Sequence, residues 1–330
     1  MTAKQTLLLA SDAAADLESA VKLLVSGSLV AIPTETVYGL AADASNEVAV
    51  RAIFEAKGRP TTHPLIVHVA DVAHARPLSR DWSPAAEILA RSFWPGPLSI
   101  LTPRSDDVSP IVTGGRENVV IRVPAHSATL QILRALHAVA SIGVAAPSAN
   151  RFGSISPTNA SHVLAELDGR IDAVLDGGPC SVGVESTIVD CTHEPAIILR
   201  PGGVTVEEIA TCLAEHGLTV TVSPDVSGAV DASRAIAPGM LRSHYAPRTH
   251  LEVFETTDEA ERARHAAEAR GDRVVLLPNP ADVYQYSRDL YALLRACDES
   301  GANLIIGCLP PPIGLGAAVR DRLLKAAAGH

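Results

Sequence analysis

The segment SLVAIPTETVYGLAAD, residues 28–43, joins an apolar run to a proline and a cluster of hydroxyl groups. Its first part, SLVAIPT, predicts a buried strand that ends in a turn. Open α/β sheets bind ligands at the carboxyl ends of their strands, so Thr34, Thr36 and Tyr38 are candidates to line a site. Threonine and tyrosine are also ordinary strand residues, so this segment alone is weak evidence.

Helical and strand-like patterns alternate after this segment. Residues 46–57 predict a helix, because Ser45 or Asn46 can cap its start and Gly58 is typical of a helix end. Further strand-like runs are PLIVHVAD (64–71), SIGVAAP (141–147), IDAVLDGG (171–178), STIVDC (186–191) and AIILRPG (196–202). This alternation predicts an α/β fold in which helices cover a sheet.

The last third of the chain has a separate organisation. Periodicity is lost between about Val222 and Pro247, which is typical of a linker. Beyond it, three apolar runs alternate with three amphipathic stretches and predict a small parallel βαβαβα domain. We therefore divide the chain into a first domain (1–222), a linker (223–247) and a C-terminal domain (248–330).

Composition restricts the class of protein. The chain has 330 residues, 47% of them apolar, and a formal net charge of −10, which disfavours a protein that coats nucleic acid. The five cysteines are scattered and form no C-x-x-C pair, so neither a zinc site nor a disulfide framework is expected. No signal peptide and no apolar stretch of ~20 residues is found, and a cytoplasmic protein without membrane contact is expected.

Cationic side chains cluster in two places. Lys57, Arg59 and His63 lie at a helix end and in the loop that follows, and His68 lies on the next strand. Each could be purely structural, but together beside a proline-bounded loop they favour an anion pocket. Arg122 lies within an apolar strand, so it must meet a carboxylate of the protein or of a ligand.

Two further segments carry polar groups without a known nucleotide motif. The loop of residues 148–158 offers hydroxyls, an amide and glycine-permitted N–H groups before a helix, an arrangement that can hold phosphate. ESTIVD (185–190) opens a strand, and Arg200 precedes a Pro-Gly turn. Neither a Walker motif nor a full G-x-G-x-x-G occurs, and Gly314-Leu-Gly316 is better explained as a tight turn.

These segments, in this order and spacing, resemble the YrdC/Sua5 family of threonylcarbamoyl-adenylate synthases. The shared motifs are PTETVYGL, K-x-R-P-x₃-P-L-x-V-H, R-x-P, PSAN-x-x-G-x-x-S-P-T and ESTIVD-x₈-LRPG, and they cover roughly residues 7–205. PGM-x₃-HYAP (238–247) and the final α/β domain resemble the Sua5 branch. The resemblance implies a YrdC-like twisted mixed sheet with helices, plus a small Rossmann-like parallel C-terminal domain.

The resemblance also implies a reaction. Threonine and bicarbonate form a carbamate that attacks the α-phosphate of ATP, and pyrophosphate leaves; the product serves t6A modification of tRNA. Mg²⁺ would arrive with ATP, and no protein metal site is implied. The implied partners are ATP, L-threonine, bicarbonate and a downstream t6A transferase, and a weak contact with tRNA stays open.

Site residues are implied at the positions that match the family motifs. The residues implied for threonine are Thr36, His68, Arg122, the backbone of Ala146, and Ser186. Those implied for ATP are Arg59, His63, Asn118, Ser148, Ser156 and Arg200. Lys57 and Arg59 are the candidates that stabilise charge during adenylate formation. His244 and Tyr245 would belong to a lid formed by the linker.

The chain departs from the family in that linker, where PGM is usually followed by Lys, Tyr and Arg. Here Leu241, Arg242 and Ser243 occupy those positions, so the polar contacts of this half of the lid are in question. His63 is a second variable position. Three alternatives stay open: a carbamoyl-phosphate-using relative, a non-enzymatic RNA-binding module, and an enzyme for another amino acid.

Overall fold

The computed structural model describes residues 5–223, 236–240, 245–279 and 281–329. The strands in these residues are β1 (Leu7–Ala10), β2 (Val30–Ile32), β3 (Gly39–Asp43), β4 (Ile66–His68), β5 (Leu98–Pro103), β6 (Asn118–Arg122), β7 (Val144–Ala145), β8 (Ala173–Asp176), β9 (Thr187–Asp190), β10 (Ala196–Arg200), β11 (Val220–Val222), β12 (His250–Phe254), β13 (Val274–Leu276) and β14 (Leu304–Cys308). The helices are α1 (Ala14–Val25), α2 (Glu47–Lys57), α3 (Val72–Ala75), α4 (Pro84–Phe93), α5 (Ser127–His137), α6 (Ala160–Leu167), α7 (Val206–Ala214), α8 (Thr257–Ala269), α9 (Val283–Glu299) and α10 (Leu315–Ala327), with a short 3₁₀ turn at Arg76–Leu78.

Local sequence signals explain the bounds of α2. The Asn46 side chain accepts hydrogen bonds from the backbone N–H groups of Val48 and Ala49, so it caps the helix start. Gly58 ends the helix with φ of 64°, a left-handed conformation that glycine adopts without steric cost. The helix predicted for residues 46–57 is therefore confirmed.

The first domain is built on one mixed sheet of eleven strands in the order β1-β8-β2-β3-β7-β4-β6-β5-β9-β10-β11. The sequence indicated a strand and a turn in residues 28–43, but β2 and β3 form an antiparallel pair across that turn. The turn residues thus lie between two central strands. Apolar clusters cover both faces of the sheet, as expected for an α/β fold.

Strand pairing gathers the polar ends of several strands at one edge of this sheet. β4 and β6 are parallel, so His68 and Arg122 lie side by side where both strands end. β6 is antiparallel to β5, which is parallel to β9, so Ser186, just before β9, lies at the same edge. Arg200 ends β10, which is antiparallel to β9, and joins them.

The C-terminal domain is the predicted βαβαβα unit. Its three strands are all parallel, in the order β12-β14-β13. Helix α8 packs against all three strands, while α10 packs against β12 and α9. Within the described ranges, no helix is long and apolar enough to cross a membrane.

This domain packs directly on the first one through a shared apolar core. Val37, Ile155 and Val184 of the first domain are buried in one cluster with Leu290 and Leu294 of α9. The backbones also approach closely, because a Cβ placed on Gly183 would lie 2.3 Å from the Cα of Arg288. The contact is therefore tight enough for the C-terminal domain to shape the sheet edge that carries the polar residues.

Candidate active site

A cavity lies at the sheet edge where the polar strand ends meet. It encloses about 560 Å³, including the part that is open to solvent. The described residues that line it are Thr34, Val37, Gly39, Arg59, Ile66, His68, Arg122, Ala146, Pro147, Ser148, Glu185, Ser186, Arg200, Pro238, Gly239 and Tyr245. They come from the first domain and from the linker, so the site is assembled from segments far apart in the sequence.

Arg122 meets a carboxylate of the protein itself. Its Nη2 lies 2.7 Å from Oε1 of Glu35, and both side chains are buried. Oε2 of Glu35 also accepts a hydrogen bond from the backbone N–H of Ala125, at 3.0 Å. The sequence required a carboxylate of the protein or of a ligand for Arg122, and the structure shows that the protein itself supplies one, Glu35.

His68 lies next to Arg122 and lines the same wall. Burial, together with the positive charge of Arg122, lowers the pKa of the His68 imidazole to about 3. The imidazole is therefore neutral at neutral pH, and it is not a cation as the sequence pattern suggested. Its Nδ1 is buried and has no hydrogen-bond partner among the described residues.

Arg200 is fully buried, whereas an arginine before a turn is usually solvated. Its Nε and Nη2 donate to the carbonyl oxygen of Ser186 at 3.1 and 2.8 Å. The Ser186 hydroxyl lies 2.8 Å from that of Ser99. Nη1 of Arg200 donates to the carbonyl of Pro238 at 3.0 Å, which links this wall to the linker.

Arg59 contributes another buried guanidinium. Its Nη2 donates to the carbonyl of Pro64 at 3.0 Å, and its guanidinium carbon lies 5.7 Å from the centre of the Phe152 ring. Burial lowers the pKa of Arg59 to about 10, so the group stays charged at neutral pH. His63 contacts the same ring edge-on at 5.3 Å, and burial lowers its pKa to about 4, which leaves it neutral.

Lys57 supports the loop that follows β7. Its Nζ donates to the carbonyl of Ser148 at 2.6 Å and also to that of Asn150. Burial, and then repulsion from Arg59, lower its pKa well below the usual range. Lys57 does not line the cavity. Its hydrogen bonds to the two carbonyls indicate that it positions the loop, and its direct catalytic role stays a prediction.

Glu185 places a carboxylate on the cavity wall itself. Oε1 accepts hydrogen bonds from the hydroxyls of Ser156 at 2.7 Å and Tyr291 at 3.0 Å, and Oε2 lies 2.6 Å from Nε of Arg322. Burial alone would raise its pKa, but Arg322 and Arg200 lower the pKa of Glu185 to about 2. Ser156 is fully buried beneath this carboxylate and does not line the cavity.

The linker closes one side of the cavity. Pro238, Gly239 and Tyr245 all line it, and Tyr245 stacks on Tyr291 with 5.8 Å between ring centres. Tyr245 is a non-glycine residue with φ of 65°, a conformation that the surrounding packing must hold. The other predicted lid residue, His244, lies outside the described residues, as do the altered positions 241–243.

Of the remaining predicted residues, Ala146 lines the cavity, whereas Thr36 and Asn118 do not. Thr36 is fully buried, and its hydroxyl lies 2.8 Å from that of Thr34, which does line the cavity. The N–H of Ala146 already donates to the carbonyl of Ile66 at 3.0 Å. Asn118 starts β6, at the sheet edge opposite Arg122.

Sequence reasoning assigned no ligand contact to Glu35 or to Glu185, although it quoted both in motifs. A single acidic residue among residues with hydroxyl groups does not by itself predict a ligand contact. The buried Arg122 was the available clue, because a buried guanidinium requires an acid nearby. For Glu185, two of the partners, Tyr291 and Arg322, lie in the C-terminal domain, and no local pattern connects them to it.

The arrangement is suited to anions. Three buried arginines from different segments line one cavity. Glu185 on its wall and Glu35 behind Arg122 are each paired with a guanidinium. Pro147 and Ser148, from the loop after β7, add backbone groups and a hydroxyl to the cavity lining. Such a site can bind a carboxylate and a phosphate chain together while excluding much of the water.

Comparisons with known proteins agree with this architecture. A family model described as "Telomere recombination", which groups Sua5, YciO and YrdC, matches residues 22–202. A second model, "Threonylcarbamoyl-AMP synthase, C-terminal domain", matches residues 204–328. The two models together span nearly the whole chain.

Individual relatives cover most of the chain as well. A threonylcarbamoyl-AMP synthase of Bacillus subtilis is 39% identical over 94% of this chain and 92% of its own length. One of Pyrococcus abyssi is 40% identical over 91% and 90%. The crystal structure of P. abyssi Sua5 complexed with L-threonine matches with a TM-score of 0.89 at 36% identity, covering 98% of each chain. This chain therefore belongs to the Sua5/YciO/YrdC family, in the branch that carries the threonylcarbamoyl-AMP synthase C-terminal domain.

Proposed function

We propose that this chain is an L-threonylcarbamoyladenylate synthase, a nucleotidyltransferase that makes threonylcarbamoyl-AMP and pyrophosphate from L-threonine, bicarbonate and ATP. The observation that carries the proposal is the convergence of Arg59, Arg122 and Arg200 on one cavity at the sheet edge. The relatives named threonylcarbamoyl-AMP synthase support the same reaction.

Threonine would bind at the wall formed by Arg122 and His68. Nη1 of Arg122 bonds none of the described residues and can donate to the substrate carboxylate, while Glu35 holds the rest of the guanidinium in place. The neutral His68 imidazole can bond the amino group without repelling it. Threonine's nitrogen and bicarbonate then form the carbamate, with loss of water, beside a fixed anchor.

ATP would bind between Arg59, Ser148 and Arg200. The carbamate oxygen forms a bond to the α-phosphorus, the bond from that phosphorus to the bridging oxygen breaks, and pyrophosphate leaves with the electron pair. Arg59 and Arg200 are placed to stabilise the negative charge that grows on the phosphates. The reaction requires no covalent nucleophile from the protein, because alignment of the reactants and stabilisation of the phosphate charge are sufficient.

Mg²⁺ would arrive as part of the ATP complex. Among the described residues, no group of three or more His, Cys, Asp or Glu side chains could hold a metal ion. Glu185, which lines the cavity, and Glu35, which lies behind Arg122, are already paired with arginines. The donor set therefore fits an ion that is held by phosphate oxygens and water, as is usual for Mg²⁺.

The product is a mixed anhydride and reacts readily, so it calls for a downstream transferase that accepts the threonylcarbamoyl group, in t6A modification of tRNA. We place both steps in the cytoplasm. A direct tRNA contact would be weak, because the net charge of −10 opposes phosphate binding. The same charge disfavours the alternative of a non-enzymatic RNA-binding module.

Pyrophosphate release from the purified protein tests the proposal. With ATP and Mg²⁺ present, release should require both L-threonine and bicarbonate, each omitted in turn. Serine in place of threonine tests side-chain specificity, and carbamoyl phosphate in place of bicarbonate and threonine tests the alternative substrate. Release that needs neither threonine nor bicarbonate would contradict the proposed reaction.

A further inference from the structure

Helix α10 of the C-terminal domain places three charged side chains in the interface with the first domain. Asp321, Arg322 and Lys325 are buried, and Arg322 is fully so. Isolated charges are not buried this deeply without partners, because removing them from water is costly. The partners of these three side chains therefore indicate the role of α10.

Arg322 reaches into the wall of the catalytic cavity. Its Nε donates to Oε2 of Glu185 at 2.6 Å, and its Nη2 donates to the carbonyl of Pro201 at 3.1 Å. Its guanidinium carbon lies 5.2 Å from the centre of the Tyr245 ring, in cation–π range. One side chain of the C-terminal domain thus contacts two segments that line the cavity, Glu185 and Tyr245.

Tyr291 of α9 approaches the same carboxylate from the neighbouring helix. Its hydroxyl lies 2.8 Å from Oε2 and 3.0 Å from Oε1 of Glu185. Glu185 therefore has two partners from the C-terminal domain and one, Ser156, from the first domain. The carboxylate, which lines the cavity, is thus held by three groups that do not themselves line it.

Ser156 and Arg200, which the resemblance assigned to ATP, are both connected to Glu185, although of these two only Arg200 lines the cavity. Ser156 donates directly to Glu185. Arg200 donates twice to the carbonyl of Ser186, the next residue in the chain. A shift of Glu185 would consequently move the Arg200 guanidinium, which lines the cavity. The threonine wall of Arg122 and His68 has its own support, Glu35, and would move less.

We propose that Arg322 and Tyr291 are positioning residues for ATP, which hold Glu185 and so fix the Arg200 side of the cavity. This inference rests on the proposed function, because it takes Arg200 to face ATP. The C-terminal domain is then part of the nucleotide site. Lys325 strengthens the connection, since its Nζ donates to the carbonyl of Gly239 in the linker at 2.7 Å.

The test uses the full chain with two conservative variants. Arg322→Lys keeps the charge but loses the fork of donors, and Tyr291→Phe removes only the hydroxyl. The matched control is Arg320→Lys in the same helix, because Arg320 pairs with the exposed Glu255 at 2.8 Å and does not contact the catalytic cavity. For each, KM values for ATP and threonine are measured, with the ATP Kd by calorimetry.

We expect KM and Kd for ATP to rise about tenfold in Arg322→Lys and about threefold in Tyr291→Phe. In both variants, the KM for threonine should stay within about twofold of that of the unmodified protein. In the Arg320→Lys control, the KM and Kd for ATP should also stay within about twofold. Unchanged ATP affinity in both variants would overturn the inference, and so would equal losses for ATP and threonine.

The outcomes separate this inference from the proposed function. If the unmodified protein binds ATP but releases no pyrophosphate with threonine and bicarbonate, the proposed function fails, and the ATP Kd values still test the positioning role. If the unmodified protein is active and Tyr291→Phe and Arg322→Lys bind ATP normally, only the positioning role fails. Tyr291→Phe retains the aromatic packing on Tyr245, so it decides the matter even if Arg322→Lys does not fold.

Discussion

Glu35 and Arg122 form a buried ion pair at the substrate cavity, with 2.7 Å between Oε1 and Nη2. The acid lies in the turn between β2 and β3, and the base ends β6, so the pair joins the hydroxyl-rich turn to the threonine wall. A buried pair of this kind adds little net stability but is costly to break on one side. The pair instead orients the Arg122 side chain, which lines the cavity.

Replacing Arg122 should separate threonine binding from ATP binding. Arg122→Gln is expected to raise the KM for threonine at least about tenfold, since a charge-assisted bond to the carboxylate is lost, and to change the KM for ATP by less than about threefold. It should also lower the free energy of unfolding by about 3–5 kcal/mol, because Glu35 is left buried without its partner. Initial rates and urea unfolding measure the two effects.

The double variant Glu35→Gln/Arg122→Gln serves as the control for stability. It removes both charges, so it should recover most of the lost stability while the KM for threonine stays high. Recovery of normal threonine use in the double variant would mean that Arg122 acts only through the fold.

Lys57 should affect ATP binding more than the chemical step. Lys57→Met leaves the carbonyls of Ser148 and Asn150 without their donor, so the loop beside the phosphates should loosen. We expect the KM for ATP to rise about tenfold, with kcat at saturating ATP within about threefold. A collapse of kcat with an unchanged KM would instead place the Lys57 amino group on the reacting phosphate.

Gly239 should be intolerant of a side chain. It has φ of 80°, and a Cβ there would lie 2.7 Å from the Tyr245 hydroxyl and 2.9 Å from Nη1 of Arg200. Gly239→Ala is therefore expected to raise the KM for ATP by about tenfold or more. Gly217→Ala is the matched control, because Gly217 has φ of 74° with no atom within 4 Å of the added Cβ. Equal KM values in the two variants would exclude a close linker contact with Arg200.

His68 should make the fold sensitive to acid. Its folded-state pKa is about 3, well below the ordinary value of 6.5, so between these values the unfolded chain binds more protons. Stability is therefore full above about pH 6.5 and falls as the pH drops through this window, by about 2 kcal/mol at pH 5 from this residue. Urea unfolding measures the free energy of unfolding at pH 7 and at pH 5. Its decrease between these two pH values should be about 2 kcal/mol smaller in His68→Gln than in the unmodified protein. An identical decrease would show that His68 is not buried in its neutral form.

The parts of the fold that follow from local rules could be predicted. The cap at Asn46 and the left-handed Gly58 bound one helix, and the alternating pattern after residue 250 gives the parallel βαβαβα domain. The antiparallel β2–β3 pair was missed, because the turn between them contains ordinary strand residues. Local pattern alone does not show where such a chain reverses.

Only part of the site could be predicted, because its ion pairs join residues that are far apart in the sequence. The buried Arg122 required a carboxylate, but the sequence did not show that Glu35, 87 positions earlier in the numbering, would supply it. Glu185 and Arg322 are 137 residues apart and meet only when the two domains pack. Such pairs depend on strand order and domain contact, which periodicity does not encode.

Identification of the reaction product by mass spectrometry is the decisive test of the proposed synthase reaction. The purified protein is incubated with ATP, Mg²⁺, L-threonine and ¹³C-bicarbonate, and the adenylate fraction is analysed at once by mass spectrometry. We predict an adenylate with the mass of threonylcarbamoyl-AMP that carries one ¹³C atom, together with one equivalent of pyrophosphate. An adenylate without ¹³C, or pyrophosphate release with no threonine in the product, would contradict the account.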